Sequence, residues 1–417
     1  MEREHIIFSR KCRRAGVAAG DFLRNKGKQN LIIIGALLFL TLIFFLINNR
    51  FLDQYNIVSM MQSLAPYAIM GLGVTFVIAT GGIDLSIGTV CIASAVVAGK
   101  LLAGPDGRVD PSAVWYCIPI MIAIGTVFGL LNGVLIAKLK MPPFIATLGT
   151  MLLARGLSAI IVSIPNVFYP SLTGFNAVFS NANGFPTGIV WVIGLMLVCM
   201  YLMYKNKIGR YILSIGSNEE ATRLSGIKTD TYKMTAYIFS GLAAGIAAVF
   251  WAAAFPTVAT ATGNGMELDA IAGVYIGGTS AAGGVASVFG SVVGGLLLVV
   301  IRSGLNMALA RFNLNVNATY VTYVLTGIIV VVAVLIDVFK NKRAARGGIG
   351  MSIKSTREHY RSLIEEKRRE QDVLLSSKDI EAGELAARNA ELEQQIERLR
   401  KERDEKLSAL KVRSDKA

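Results

Sequence analysis

The sequence predicts an all-α integral membrane protein: a bundle of about eight to ten transmembrane helices, followed by a charged helical tail. Three observations carry this. The 417-residue chain is 53% hydrophobic and only 17% charged, against about 25% charged in soluble domains. Of its 70 charged residues, 31 fall within 351–417, so the first 350 residues cannot cover a water-exposed surface. Apolar segments then recur with short polar breaks, each near the ~20 residues that span a bilayer.

Ten such segments are expected, at 31–47, 57–79, 85–103, 114–137, 143–163, 188–204, 234–254, 267–282, 285–305 and 317–339. The eighth is short, Gly-rich and opens on Glu267 and Asp269, so it is either a crossing or a re-entrant, broken helix. Threading ten spans with the N-terminus inside gives cytoplasmic segments 1–30, 80–84, 138–142, 205–233 and 340–350 a net charge of +13. The outer loops sum to zero. Because Lys and Arg stay on the cytoplasmic side, both termini are expected there. The net charge of +14 is therefore a topology signal and not a nucleic-acid patch. The domains expected are a basic N-terminal segment 1–30, a membrane domain 31–339 and a cytoplasmic tail 340–417. About 30 polar, basic residues precede the first apolar run and no A-x-A site follows it, so that run reads as a retained anchor.

The remaining chemistry is sparse. Cys91, Cys117 and Cys199 sit in apolar runs, Cys12 is isolated, and no C-x-x-C occurs; buried small hydrophobes are expected, not a disulfide or metal framework. His5 and His359 are the two histidines, too few and too terminal for a nucleophile–His–acid set. No G-x-x-x-x-G-K-[ST] loop exists, so the chain has no phosphate cradle of that kind. Catalytic, cofactor and metal residues are all expected to be absent. Transport, channel or receptor functions remain.

Gly125 and Gly129, and Gly290 and Gly294, form G-x-x-x-G pairs that let helices approach closely. An acidic Gly-rich break followed by such a helix occurs in both halves, in the order expected of an internal repeat. In the tail, a coil over 375–410 is expected. Leu385, Leu392 and Leu399 recur at d with Asn389 and Ile396 at a, the pattern of a parallel two-stranded coil; the alternative is a solvated helix laced with ion pairs. The register fails after Leu399, where Arg403 and Lys406 take core positions.

Three polar features stand out. In Gly81-Gly82-Ile83-Asp84-Leu85-Ser86-Ile87-Gly88, Asp84 and Ser86 either cap the next helix or serve translocation or gating. In 265–273, Glu267 and Asp269 either suit a helix N-terminus, pairing with Arg155 or Arg302, or contact a substrate. In loop 205–233, residues 217–227 read as a short helix. Ser217 or Asn218 caps it, Glu219 and Glu220 suit its first turn, Ala221 and Arg223 follow, and Gly226 suits its end. Two turns of helix are not stable alone in water, so the membrane body or a partner must hold them.

These features, as GGIDLSIG (81–88), PPFIATLGTMLLARG (142–156), IGRYILSIGSNEEATRLSGI (208–227) and GMELDAIAGVYIGGTSAAGG (265–284), resemble the permease subunits of ribose/galactoside-type sugar ABC importers over about residues 50–340. The resemblance implies a type II importer-like fold in a bacterial inner membrane. It also implies a homodimer, an extracytoplasmic sugar-binding protein and a separate cytoplasmic ATPase that holds the ATP-Mg. It implies that Glu219, Glu220, Ala221 and Gly226 belong to the ATPase-coupling helix, and it leans to ribose over galactose or methylgalactoside. Nucleosides or other small polar solutes are the nearest alternative substrates. An ion-coupled secondary transporter is the alternative from another class, disfavoured because the acids cluster at segment ends.

Overall fold

The structure is a computed structural model that describes residues 30–162, 166–171, 174–312, 318–376 and 382–416. The basic N-terminal segment, with Cys12 and His5, lies outside the described residues. The chain divides into two compact units, 1–335 and 336–417.

In the first unit, α1 (Asn30–Ile47) precedes α2 (Gln54–Ala79), α3 (Ile87–Leu102) and α4 (Val114–Gly133), which ends in a π turn at Val134–Lys138. Then come α5 (Pro143–Val162), strand β1 (Asn166–Phe168), α6 (Gly174–Phe179), α7 (Thr187–Tyr204), α8 (Lys207–Ser217) and α9 (Glu219–Leu224). After α10 (Thr229–Ala254) and β2 (Thr257–Ala259) lie α11 (Met266–Ile276), α12 (Val288–Arg311) and the start of α13 (Ala318–Ser376). Among the described residues, seven helices are long and apolar enough to cross a membrane, with Ile87–Leu102 as a shorter apolar helix.

Two of the ten expected segments are shorter than a full span: the eighth, for which a broken helix was one of the two expectations, and the third, for which a full crossing was expected. The eighth segment forms only the 11-residue α11, about 16 Å at 1.5 Å per residue, half of a ~30 Å bilayer core. The third, α3, has 16 residues, about 24 Å. Each is preceded by non-helical chain that makes up the missing length: Gly81–Ser86 before α3, and β2 with a 3₁₀ turn (Thr260–Gly263) before α11.

The two breaks form an inverted pair. α2 and α10, each 26 residues long, pack antiparallel, with Phe76 edge-on to Phe239 at 5.1 Å. The half-helices that follow run in opposite directions from one junction. There a methyl added to Gly88 would stand 2.6 Å from Glu267 N and 2.9 Å from Met266 Cβ, so only a glycine lets the two N-termini meet. Segments 104–113, 166–171, 174–187 and 255–266 gather at one end, where β1 pairs antiparallel with β2 and Val109 N–H donates to Phe168 O at 2.9 Å. Loops 80–84, 205–233 and 277–287 gather at the other, where Gly284 N–H donates to Ala79 O at 3.0 Å and Tyr204 OH to Ala286 O at 3.1 Å. Both half-helices therefore connect the two ends through their extended partners, and the grouping of loops inferred from charge is kept despite the shorter helices.

Each predicted G-x-x-x-G faces a second one. Gly125 and Gly129 on α4 meet Gly245 and Gly241 on α10; a methyl on Gly129 would lie 2.9 Å from Gly241 Cα. Gly290 and Gly294 on α12 meet Gly277, which caps the end of α11, and Gly273 within it. Without such glycines, neither antiparallel pair could bring backbone onto backbone. Cys91 and Cys117 are buried free thiols, and Cys199 is half-buried.

The second unit contains the C-terminal part of α13 and α14 (Ala382–Lys416). They lie antiparallel: Gln371 Nε2 donates to Asn389 Oδ1 at 2.7 Å, Tyr360 OH to Glu402 Oε2 at 3.4 Å, and Lys406 Nζ lies 5.3 Å over the Tyr360 ring. Leu385, Leu392 and Leu399 are half-buried and Ile396 is buried on this seam. The heptads predict a parallel pair with a second copy, whereas here the same seam closes within one chain. A short connection between Ser376 and Ala382 keeps the two halves at high effective concentration. The register also continues past Leu399. Arg403, Leu407 and Leu410 stay on the half-buried face, because the 11 residues from Leu399 to Leu410 complete three turns at ~3.67 residues per turn.

Candidate functional site

Two places in the membrane unit collect the polar residues singled out from sequence. At the first, Asp84 is buried, and Oδ1 accepts from Ser86 N–H at 3.0 Å and from Ser86 Oγ–H at 2.6 Å. Its Oδ2 accepts from Ser240 Oγ–H on α10 at 2.6 Å. Asn132 on α4 donates to Ser86 Oγ at 2.9 Å, and Thr150 on α5 donates to Asn132 Oδ1 at 2.7 Å. Every member is at most 1% exposed. The carboxylate is not the N-cap itself, which is Ser86. It closes an Asx turn two residues earlier and ties the break to α10. Asn132, Thr150 and Ser240 were missed from sequence, because single polar residues in apolar runs carry no spacing signal.

Across the junction, Glu267 and Asp269 occupy the first turn of α11, each 8% exposed. Asp269 pairs with Arg302 of α12. Arg302 in turn donates to Tyr67 OH at 3.3 Å and lies 5.3 Å over its ring, and Tyr67 meets Trp251 edge-on at 6.2 Å. Glu267 draws on the N–H groups of Gly265 and its own residue and lies in the field of Arg155 from α5.

The second place is loop 205–233. The predicted helix 217–227 is shorter, α9, and is preceded by the unpredicted amphipathic α8, whose Ile212 and Ile215 are buried. Of the two candidate caps, Asn218 does the capping: its side chain accepts from Ala221 N–H at 2.9 Å. Ser217 instead ends α8, donating to Leu213 O at 2.9 Å. Thr222 is buried against Ser214 (2.9 Å between hydroxyl oxygens). Glu219 pairs with Lys233 at 2.6 Å and Arg223 at 3.2 Å, while Asp230 pairs with Lys140. Burial pushes the Glu219 carboxyl up, but Lys233 and Arg223 outweigh it and hold it below the usual range. Lys140 holds Asp230 low. The membrane body thus fixes two turns that are unstable alone.

Gly226 ends the turn at φ +82° with open space around it, a conformation that disfavours any side chain. Glu220, Ala221, Arg223 and Gly226 face solvent. Leu224, missed from sequence, is 83% exposed.

The family model described as branched-chain amino acid transport system / permease component matches residues 56–334, two thirds of the chain. The chain belongs to this permease family. The match takes in both half-helices, the polar junction and α9. The permease is 34% identical over 318 residues to the ribose import permease protein RbsC of Escherichia coli K12, covering 74% of this chain and 91% of that one. It is 36% identical over 305 residues to RbsC of Bacillus subtilis 168 (72% and 90%). To the D-allose transport system permease protein AlsC of E. coli K12 it is 32% identical over 288 residues (69% and 84%). No solved structure matches.

Proposed function

We propose that this permease is the membrane subunit of an ATP-driven monosaccharide importer, with ribose-type sugars as its substrates. The observation that carries the reading is the similarity, over nine tenths of their length, to permeases named for ribose import. The sugar therefore arrives from an extracytoplasmic binding protein and crosses at the axis of a homodimer. A separate ATPase holds ATP-Mg and does the hydrolysis; this chain is a non-catalytic subunit with no cofactor of its own. Both termini face the cytoplasm of a bacterial inner membrane, a reading that the +13 charge of one set of segments supports.

The ATPase docks on α9. Its inner side is pinned by Thr222, Glu219 and Asn218, while Glu220, Ala221, Leu224 and Gly226 are left to solvent. An exposed leucine on a rigidly held turn suits a socket in a partner. Asp84, Ser86 and Asp269 have their hydrogen-bonding capacity met inside the chain, and their role is to shape the breaks through which the pathway opens. Purification of the intact chain from its native membrane tests the assembly: an ABC ATPase and a sugar-binding protein accompany it. Co-purification with neither, while the chain still transports, would remove the reading.

A further inference from the structure

Residues 351–417 carry 16 basic and 15 acidic side chains, so the tail as a whole is nearly neutral. Its helical hairpin does not spread these charges evenly. Between the C-terminal part of α13 and α14 lies a groove of about 760 Å³, within the size range of small-molecule sites. Arg357, Arg361 and Arg368 of α13 line it together with Arg400 and Arg403 of α14. Among the described residues, Glu365 and Asp404 are the only carboxylates in the lining, which leaves a net charge of +3. The neighbouring hollows differ. One sets Arg369 against Glu365, Glu366 and Glu370, a net charge of −2, and another balances three cations with three anions. The groove's cations are also poorly neutralised. Arg361 pairs with Glu365 at 2.9 Å and Arg403 with Asp404 at 2.8 Å, but Arg400 reaches Glu397 only at 3.9 Å. Among the described residues, Arg357 and Arg368 pair with no carboxylate, and every ion pair of the tail joins residues of a single helix. Paired helices commonly place opposite charges across their seam; this pair gathers like charges there.

We propose that this groove is a binding site for a compact oligophosphate, such as the phosphate chain of a nucleotide. The chemistry of the lining sets the class. All five cations are arginines, although Lys367, Lys401 and Lys406 are close by in sequence. A guanidinium fork grips phosphate oxygens in pairs, whereas an ammonium is a point charge. A single phosphate group carries about −2 at neutral pH and would leave the groove positive; linked phosphates match both its charge and its several forks. A nucleic-acid strand would have to run on past Glu365, Glu366 and Glu370, which repel its backbone. Ile364 and Leu407 line the groove as well and give the arginine stems an apolar bed. Once bound, the anion takes the place of the missing ion pairs between helices and holds the hairpin closed. The site lies wholly in the second unit, so the proposal does not depend on the sugar-import reading.

The test uses the full-length chain, purified in detergent and washed free of any ATPase, without magnesium and at about 150 mM salt to screen diffuse attraction. Tripolyphosphate, ATP and citrate are the probes. Calorimetry reads affinity, and hydrogen exchange reads the place. Tripolyphosphate should bind saturably and slow exchange over 357–368 and 400–408. Arg357→Gln and Arg368→Gln are on exposed side chains outside any ion pair, so the ligand-free hairpin should exchange as in wild type. Each should weaken tripolyphosphate binding about tenfold, the worth of one hydrogen bond between charged groups. Arg369→Gln removes the same charge from the acidic hollow next door and should bind as wild type does. Equal losses in Arg368→Gln and Arg369→Gln would overturn the proposal in favour of diffuse charge attraction. Citrate bound as tightly as tripolyphosphate would overturn the oligophosphate class. No saturable binding of any probe at millimolar concentration would overturn the site itself. Equal affinity for ATP and tripolyphosphate supports recognition of the phosphate chain alone, and tighter binding of ATP supports a nucleotide as its source.

Discussion

Asp84 Oδ2 and Ser240 Oγ lie 2.6 Å apart, and this contact joins the first helix break to the long helix α10 of the opposite half. Both residues are fully buried, and the carboxylate satisfies three donors from Ser86 and Ser240. Asp84→Ala leaves those donors buried and unmet, at about 1–3 kcal/mol for each uncompensated group. Asp84→Asn keeps shape and part of the bonding, so it should cost less. Thermal unfolding in detergent checks the order, with Asp84→Ala lowest, Asp84→Asn intermediate and wild type highest. Equal melting points for all three would show that the network does not hold the break.

The face-to-face glycines of α4 and α10 make a second expectation. Gly129→Leu forces a side chain into Gly241 and Tyr237 backbone atoms at 2.6–2.9 Å. Folded protein should be nearly absent, whereas Gly149→Leu, with nothing within 4 Å, should be recovered at the wild-type level. Size-exclusion yield of the two variants is the measurement, and similar yields would contradict the packing.

At α9 the expected outcome separates folding from coupling. Leu224→Glu, on a side chain 83% exposed, should leave insertion and melting temperature unchanged while lowering uptake and ATPase stimulation severalfold. Glu220→Lys should act in the same direction. Gly226→Ala sits at φ +82° and should cost about 1 kcal/mol of local stability. Full ATPase stimulation by Leu224→Glu would remove this face from the docking surface.

Acid should loosen the same loop. The folded-state pKa values of Glu219 and Asp230 lie below their ordinary values, held there against burial by Lys233 with Arg223, and by Lys140. Depressed carboxylates contribute stability above their unfolded pKa, near 4, and lose it as pH falls through the lower folded value. Hydrogen exchange over residues 207–233, corrected for intrinsic rates, should therefore show constant protection from neutral pH to about pH 5 and falling protection below it. Lys233→Met should remove much of the part that Glu219 contributes and leave the Asp230–Lys140 part in place. A loop equally protected at pH 7 and pH 3.5 would contradict the pairing.

In the tail, cysteines placed by Gln371→Cys and Asn389→Cys should form a bond within one chain, because those side chains meet at 2.7 Å. Peptide mapping after oxidation of the full-length protein reads the link. Chiefly inter-chain disulfides would restore the parallel pairing that Leu385, Leu392 and Leu399 suggest.

The membrane class, the segment order and the grouping of loops were legible because burial in lipid demands long apolar runs and segregated charge. The lengths of α3 and α11 were not, since hydropathy cannot distinguish a buried extended stretch from a buried helical one. The G-x-x-x-G pairs were visible at Gly125 and Gly290, but their partners at Gly241 and Gly273 required the packing. Asn218, Glu219 and Gly226 announced α9 through capping chemistry. Leu224 did not, because an exposed leucine looks like any other until its neighbours are known. Glu267 and Asp269 looked equivalent in sequence; Arg302 and Arg155, far along the chain, distinguish them.

The central claim is ATP-driven sugar import through this chain. Its most direct measurement is radiolabelled ribose uptake into vesicles bearing the permease with its ATPase and binding protein, with and without ATP, at clamped ion gradients. The account predicts accumulation only when ATP, ATPase and binding protein are all present, unaffected by a proton ionophore. Accumulation without the ATPase, or collapse on adding the ionophore while ATP is held constant, would contradict it.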